Sequence, residues 1–290
     1  MLKGAITAIV TPFKNGKINY SKMEELIEFQ IANNIDGLVV CGTTGESATL
    51  SEQEQKKLIK FVVDKVAGRI PVVAGTGTND TKKSLKMSKY AEDVGANYLL
   101  LVSPYYNKTT RQGIIQHYEY IADNTSIPSI MYNVPSRTGL NMDTDAIIEL
   151  SEHPNILGIK EASGDVAKSI KILSEASENF LVFSGNDDII VPMLSIGGSG
   201  VISVLSNIMP KETHDMCKYY FEGETEKAKD IQLHLSDLIS KLFIEVNPIP
   251  VKEAMNLLGF NVGSPRLPLV NMSKKNIDLL YMSLKNVFGF

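Results

Sequence analysis

A lysine interrupts an apolar stretch in the middle of the chain, at the end of the run 156–160 (ILGIK). A charged ammonium group is costly to bury, so a lysine inside a strand favours its neutral, nucleophilic amine. Such an amine at Lys160 can form an imine with a ketone or aldehyde. Alternation along the strand puts Gly158 on the same face, which predicts open space beneath the amine. The alternative is a strand-end lysine that reaches solvent or pairs with Glu161.

Two more side chains near apolar runs suit carbonyl chemistry. Tyr132 lies at the end of the run 128–133, and a phenol beside an amine can carry protons. The alternative is a buried tyrosine whose hydroxyl bonds to the backbone. Arg137 follows in a proline-containing loop, where its guanidinium can hold a carboxylate through two parallel hydrogen bonds. A solvated surface arginine is the alternative for that position.

The segment 42–47 (GTTGES) has the composition of a small-anion site. Its glycines allow backbone N–H groups to turn toward a carboxylate, and Thr43 and Thr44 add hydroxyl donors. It lacks the lysine of a P-loop, and a plain tight turn is the alternative. Together with Lys160 and Arg137, the segment indicates a carboxylated carbonyl substrate that passes through an imine to an enamine. This is aldolase-type chemistry without a cofactor, and the residues alone leave the second substrate open.

The elements that must position these residues alternate along the first two thirds of the chain. Eight runs rich in Val, Ile and Leu predict strands buried on both faces, at residues 5–11, 37–42, 71–77, 98–104, 128–133, 156–162, 180–185 and 200–205. Amphipathic stretches between them predict helices, at residues 21–34, 51–66, 80–94, 111–122, 143–151, 165–176, 187–196 and 211–221. Eight such units predict an α/β fold, a (β/α)₈ TIM barrel with its active site at the carboxyl ends of the strands. A doubly wound sheet is the competitor, but no glycine-rich turn follows the first strand.

The strand signal ends near residue 223, and helical patterns follow at 225–246, 251–258 and 273–286. We therefore predict a catalytic barrel over residues 1–223 and a C-terminal α-helical domain over residues 224–290. Two helix starts carry the signature of a capping box, one from Ser21 with Glu24 and one from Ser51 with Glu54.

Composition excludes several classes of protein. Of 290 residues, 43% are hydrophobic and the net charge is −4, which argues against disorder and against a nucleic-acid or membrane partner. Two cysteines do not make a disulfide framework, so we expect a cytoplasmic protein. The acidic pair Asp187 and Asp188 would repel a phosphate group, so we infer an unphosphorylated substrate. No metal centre is expected, because the histidines fall on predicted helices or at their ends, at positions 117, 153, 214 and 234.

Three motifs resemble one known family. Residues 42–47 (GTTGES), 132–139 (YNVPSRTG) and 158–162 (GIKEA) look like those of the dihydrodipicolinate synthases, in the pyruvate-dependent class I aldolase superfamily. The resemblance runs from Gly4 to about Gly263, with further support from residues 102–107, 200–203 and 247–252.

The resemblance implies a condensation of pyruvate with L-aspartate-4-semialdehyde, toward diaminopimelate and lysine. It implies that Lys160 forms the Schiff base and that Tyr132, Thr43 and Tyr106 relay protons, with Tyr106 reaching into a neighbouring subunit. Thr43 and Thr44 would hold the pyruvate carboxylate through their N–H groups, and Arg137 would hold the second substrate. Gly185 and Ile202 would line the pocket. The implied assembly is a homotetramer, a dimer of tight dimers, and no cofactor is implied.

The resemblance also separates the alternatives. Sialic-acid lyases of the same superfamily lack the arginine at 137 and carry serine before the second threonine of the 42–47 motif, so a sugar-acid lyase is disfavoured. A non-catalytic pyruvate-binding barrel is the remaining alternative. Weak or absent feedback by lysine is expected, because Lys83 stands where inhibited relatives carry glutamate and would repel lysine's ammonium. Glu52 and Gln55 likewise stand where those relatives often have histidine.

Overall fold

Eight parallel strands close into a barrel in this computed structural model, which describes residues 2–289. Each strand pairs with the next barrel strand along the chain, and the last pairs with the first, with Gly4 opposite Gly200. The predicted TIM barrel is therefore confirmed. Its strands are β1 (Gly4–Ala8), β4 (Gly37–Val40), β5 (Val72–Gly75), β6 (Tyr98–Val102), β7 (Ser129–Asn133), β8 (Ile156–Glu161), β9 (Leu181–Ser184) and β10 (Gly200–Ser203). A hairpin of β2 (Phe13–Lys14) and β3 (Lys17–Ile18) follows β1.

Helices alternate with the barrel strands and then continue to the C-terminus. Those of the barrel part are α1 (Tyr20–Ala32), α2 (Glu52–Val66), α3 (Thr81–Asp93), α4 (Arg111–Ala122), α5 (Pro135–Thr138), α6 (Thr144–Ser151), α7 (Val166–Glu175), α8 (Ile190–Ser195) and α9 (Pro210–Phe221). The others are α10 (Thr225–His234), α11 (Ser236–Leu242), α12 (Ile249–Leu257) and α13 (Lys274–Phe288). No helix within residues 2–289 is both long and apolar enough to span a membrane. The division of the chain at residue 223 stays a prediction.

Two helix predictions need correction. The capping box at Ser51 and Glu54 is present, but Ser21 does not cap α1. Asn19 takes that role, because its side-chain oxygen already accepts a hydrogen bond from the N–H of Lys22. The single helix predicted over residues 225–246 is also wrong, since the chain breaks at Leu235 into α10 and α11. Leu235 is buried at that break, 1% exposed.

Side chains alternate between the barrel interior and the space under the helices. The interior is filled by one apolar cluster, which includes Ile6, Val39, Val73, Leu100, Ile130, Tyr132, Leu181, Phe183 and Ile202. A Cβ atom on Gly158 would lie 2.2 Å from the carbonyl oxygen of Leu181 on the adjacent strand. The open space predicted beneath Lys160 is therefore absent, and Gly158 instead allows β9 to approach β8 closely.

Candidate active site

The structure brings Lys160 and Tyr132 together on neighbouring strands. They are register partners in the β7–β8 ladder, and both are 6% exposed. The Nζ atom of Lys160 lies 4.5 Å from the centre of the Tyr132 ring. Within residues 2–289, the Lys160 amine donates no hydrogen bond to a protein acceptor. An amine that is buried beside a phenol ring without an oxygen partner is placed to act as a nucleophile.

Asp187 is a buried acidic group whose pKa is influenced by the charge of Lys160. The carboxyl lies just beyond β9, where its Oδ2 accepts hydrogen bonds from the N–H groups of Val204 (3.0 Å) and Leu205 (2.9 Å). Burial raises the pKa of Asp187, and the positive charge of Lys160 opposes that rise. Asp187 is buried, and these two bonds fix the chain just after β10.

A cavity of about 430 Å³ opens at the carboxyl ends of the strands. Its wall includes Thr43 and Arg137, which the sequence assigned to the two substrate carboxylates. Lys160 and Tyr132 are not part of that wall. Val134 connects the two regions, because it lines the cavity and also packs in the interior cluster that contains Tyr132.

The loop after β4 is held in a defined conformation. Glu46 adopts a left-handed backbone conformation, with φ at 56°, and its N–H donates to the carbonyl of Thr43 at 3.0 Å. The hydroxyl of Thr11 donates to the carbonyl of Gly45 at 2.6 Å. Thr44 is buried, and its Oγ1 accepts a hydrogen bond from the Nδ2 of Asn247 at 2.9 Å. The loop is thus fixed from both sides before any substrate binds.

Sequence reasoning missed the buried ion pair beneath this loop. Lys252 on α12 donates to Oε1 of Glu46 at 2.7 Å, and the two side chains are 1% and 0% exposed. The N–H of Arg266 donates to the other carboxylate oxygen at 2.8 Å. The segment 247–252 (NPIPVK) supports the family resemblance. Nothing in its sequence indicates that Lys252 contacts Glu46.

Arg137 lies on the short helix α5, exposed at the cavity wall. Its guanidinium donates to the backbone carbonyl of Asn247 at 3.0 Å. Asn247 is a further residue that the sequence reasoning did not assign, and it contacts both Thr44 and Arg137. The two groups expected to hold carboxylates are therefore connected through one residue between α11 and α12.

Tyr106 does not reach the cavity of its own chain. Its side chain is 92% exposed, and its backbone is in the left-handed region with φ at 68°. That conformation is unfavourable for a residue with a Cβ atom, and it persists here on a bulky aromatic residue. The preceding residue, Tyr105, is the one that lines the cavity.

Gly185 and Ile202 are not part of the cavity wall. A Cβ atom on Gly185 would lie 2.4 Å from the Cβ of Ala162, so no other residue fits there without movement. The N–H of Gly185 donates to the carbonyl of Glu161 at 2.7 Å. Ile202 is fully buried in the barrel interior.

The model of the dihydrodipicolinate synthetase family matches residues 1–287 of this chain, so Lys160, Tyr132 and the whole barrel lie inside the match. The chain belongs to this family. A curated relative, the 4-hydroxy-tetrahydrodipicolinate synthase of Clostridium tetani, is 53% identical over 287 residues, covering 99% of this chain and 98% of the relative.

Solved structures of dihydrodipicolinate synthases superimpose on the whole chain. The enzyme of Thermotoga maritima has a TM-score of 0.97 at 45% identity and covers 100% of both chains. The enzyme of Cyanidioschyzon merolae, solved with lysine bound, has a TM-score of 0.96 at 38% identity, covering 100% of this chain and 99% of the other. The family, fold and lyase class predicted from the sequence are confirmed by these matches.

Two of the three positions that the family resemblance linked to lysine feedback, Gln55 and Glu52, have side-chain partners within the chain. Gln55 donates to the backbone carbonyl of Ser47 at 2.8 Å and also lines the cavity. Glu52 forms ion pairs with Lys86 (2.7 Å) and Lys56 (3.0 Å). Lys83 is exposed on the first turn of α3. Weak or absent feedback in this synthase-family chain stays a prediction.

Proposed function

We propose that the protein is a lyase that condenses pyruvate with L-aspartate-4-semialdehyde through a Schiff base on Lys160. This is the reaction of a 4-hydroxy-tetrahydrodipicolinate synthase, the name of its curated relatives, and it belongs to diaminopimelate and lysine biosynthesis. The observation that carries the assignment of roles is the buried amine of Lys160 beside the ring of Tyr132.

The reaction begins with attack of the neutral Lys160 amine on the ketone carbon of pyruvate. The ketone oxygen takes up protons and leaves as water, which gives the imine. Loss of a proton from the pyruvate methyl group then gives an enamine, whose carbon adds to the aldehyde carbon of the second substrate. The aldehyde oxygen gains a proton in that step. Tyr132, Thr43 and Tyr106 of a neighbouring copy relay these protons.

The two carboxylates are held at different positions. The N–H groups of Thr43 and Thr44 bind the pyruvate carboxylate, and Arg137 binds the carboxylate of the semialdehyde. The presence of Thr43 and Arg137 on one cavity wall supports this division. Gly185 and Ile202 complete the pocket around the imine, which their positions near Glu161 and in the barrel interior support.

A homotetramer, built as a dimer of dimers, fits this function, and we propose that it works in the cytoplasm. The exposure of Tyr106 supports an assembly, because a strained, 92% exposed aromatic side chain gains burial when a second copy covers it. The two cysteines, Cys41 and Cys217, are free and buried, which agrees with a reducing compartment.

The proposed function is tested by supplying pyruvate and L-aspartate-4-semialdehyde to the purified protein and following both. Consumption in a one-to-one ratio is expected, with neither consumed when the other is left out. Cleavage of 2-keto-3-deoxy sugar acids together with indifference to the semialdehyde would instead identify a sugar-acid lyase. Binding of pyruvate with no turnover of any of these compounds would identify a non-catalytic barrel.

A further inference from the structure

A buried polar pair lies directly behind the reactive pair, on the opposite face of the same two strands. In the β7–β8 ladder Tyr132 is opposite Lys160, and the next step puts Asn133 opposite Glu161. Successive side chains of a strand point to opposite faces. Tyr132 belongs to the interior cluster, so Asn133 and Glu161 face the helices outside the barrel. They are 0% and 3% exposed.

Hydrogen bonds join this pair across the strands. The Nδ2 of Asn133 lies 2.9 Å and 3.1 Å from the two carboxylate oxygens of Glu161. The Oδ1 of Asn133 accepts from the N–H of Met142 at 3.0 Å, and Oε1 of Glu161 accepts from the N–H of Ser163 at 2.7 Å. Each strand end is therefore also fixed to the loop that follows it.

A lysine on α7 balances the buried charge of this network. Lys168 donates to Oδ1 of Asn141 at 2.6 Å, and that same oxygen lies 2.9 Å from Nδ2 of Asn133. Burial lowers the pKa of Lys168, and the negative charge of Glu161 opposes that change. A satisfied buried network of this kind is rigid and sensitive to the loss of one member.

The ladder between these strands is irregular at its other end. Ser129 pairs with Ile156 but Ile130 pairs with Gly158, so the register shifts by one residue before it reaches Tyr132. Backbone pairing resumes in regular register from Ile130 to Asn133, and a slip of one residue there would turn Lys160 out of the barrel. The contact between Asn133 and Glu161 adds a side-chain constraint on that register at the last pair of the ladder.

We propose that Asn133 and Glu161 are positioning residues, which hold the Tyr132 phenol and the Lys160 amine at the separation that proton transfer requires. This inference rests on the proposed function, since it gives the pair a role in Schiff-base chemistry. A displacement of about 1 Å between reacting groups can cost on the order of a hundredfold in rate. The contact is made behind the site, so its loss changes the chemical steps more than the binding of pyruvate.

The test compares Glu161→Gln, Asn133→Asp and the double variant. Glu161→Gln keeps the shape but replaces one acceptor by a donor that faces the Asn133 amide. Asn133→Asp sets two carboxylates against each other. The double variant restores an amide-to-carboxylate pair across the strands, with the roles exchanged. Asp36→Asn is the matched control, because Asp36 accepts hydrogen bonds from Ala5 of the neighbouring strand (2.8 Å) and from His214 (3.0 Å) at the opposite end of the barrel.

Turnover is divided by the number of sites that pyruvate and borohydride trap, so that unfolded protein is not counted. We expect turnover per trapped site to fall about tenfold in Glu161→Gln and about a hundredfold in Asn133→Asp, with the KM for pyruvate changed less than about threefold. The double variant should exceed Asn133→Asp at least about tenfold. Asp36→Asn should lower only the melting temperature.

The outcomes separate this inference from the proposed function. If the unaltered protein traps no pyruvate, the proposed function and this inference both fail. If the unaltered protein traps pyruvate and condenses both substrates while Glu161→Gln stays within twofold per trapped site, the inference alone is overturned. A double variant no better than Asn133→Asp overturns it as well.

Discussion

At the scale of single residues, the three buried lysines among the described residues differ in what surrounds their amines. Lys252 donates to the carboxylate of Glu46, and Lys168 donates to Asn141 and to the backbone carbonyl of Met142. Lys160 instead faces the ring of Tyr132. A lysine whose amine is engaged by an oxygen or a carboxylate is held as a donor, whereas no protein acceptor within residues 2–289 holds the amine of Lys160, which supports its proposed role as the nucleophile.

Arg137 offers a prediction at the same scale. Arg137→Leu removes the guanidinium from the cavity wall but leaves Lys160 and Tyr132 untouched. A hydrogen bond to a charged group is worth about 1.5–3 kcal/mol, so kcat/KM for the semialdehyde should fall on the order of tenfold to a hundredfold. Steady-state kinetics with each substrate varied in turn measures this.

The same variant should leave the reaction with pyruvate alone unchanged. Trapping of pyruvate by borohydride should stay at the level of the unaltered protein, because the imine forms before the semialdehyde is needed. Equal losses for both substrates would contradict the role given to Arg137.

At the scale of elements, a buried histidine on α4 connects the stability of the fold to pH. Burial lowers the pKa of His117 to about 4. Its Nδ1 shares a hydrogen bond of 2.9 Å with the hydroxyl of Thr81, and its Nε2 is buried without a partner among the described residues. Protonation of His117 would therefore place an unpaired charge between α3 and α4.

The lowered pKa of His117 makes the folded protein less stable as the pH falls. An unfolded histidine has a pKa of about 6.5, so between about pH 6.5 and pH 4 the unfolded chain binds the proton and the folded chain does not. The stabilisation is present above pH 6.5 and is lost as the pH falls toward 4, by about 3 kcal/mol in total. Urea unfolding at pH 7 and at pH 4.5 should show this decrease, and His117→Gln should reduce it. An equal decrease in His117→Gln would exclude His117 as its source.

Strands and helices that are specified by a local sequence pattern can be predicted, whereas features that depend on distant parts of the chain cannot. The eight strands and the Ser51 capping box carry local patterns, so they were predicted with small errors in their bounds. The start of α1 failed because Asn19 and Ser21 are both good caps, and only the hairpin before them fixes which one is used. The sequence predicts open space at Gly158, but the backbone of Leu181, which comes from another part of the chain, lies close against it.

Some contacts of the candidate site could be predicted from the sequence, and others could not. Lys160 and Tyr132 could be predicted to meet, because they end neighbouring strands of a parallel barrel. Asn247 and Lys252 could not be assigned, because their partners Thr44 and Glu46 lie about two hundred residues earlier in the chain. Contacts over such separations depend on how the C-terminal helices pack, which no local pattern specifies.

At the scale of the whole molecule, the C-terminal segment holds the loop after β4, which we propose binds the pyruvate carboxylate. Lys252→Met leaves the carboxylate of Glu46 buried without its partner, which costs roughly 3–5 kcal/mol. Urea unfolding should show that loss, and adding Glu46→Gln should recover part of it. Lys60→Met, which breaks an exposed ion pair with Asp64, is the matched control and should leave stability nearly unchanged. A Lys252→Met protein as stable as the control would contradict a stabilising role for this pair.

The proposed assembly makes a separate prediction through Tyr106. Lys160→Ala and Tyr106→Ala should each be inactive as pure proteins. If Tyr106 completes the site of a neighbour, a hybrid dimer contains one site with both residues intact. Co-expression of the two variants should then recover about a quarter of the parental activity, since half of randomly formed dimers are hybrids with one intact site of two. A co-expressed mixture as inactive as its components would contradict the proposed action of Tyr106 in the site of a neighbouring copy.

The most direct test of the account is to locate the covalent adduct. The protein is incubated with pyruvate, reduced with borohydride, digested and mapped by mass spectrometry. We predict one three-carbon adduct per chain, on the amine of Lys160, and none in Lys160→Ala. Lys168 and Lys252, which are also buried, serve as internal controls and should stay unmodified. An adduct on another lysine, or the absence of any adduct, would contradict the central claim that Lys160 is the nucleophile.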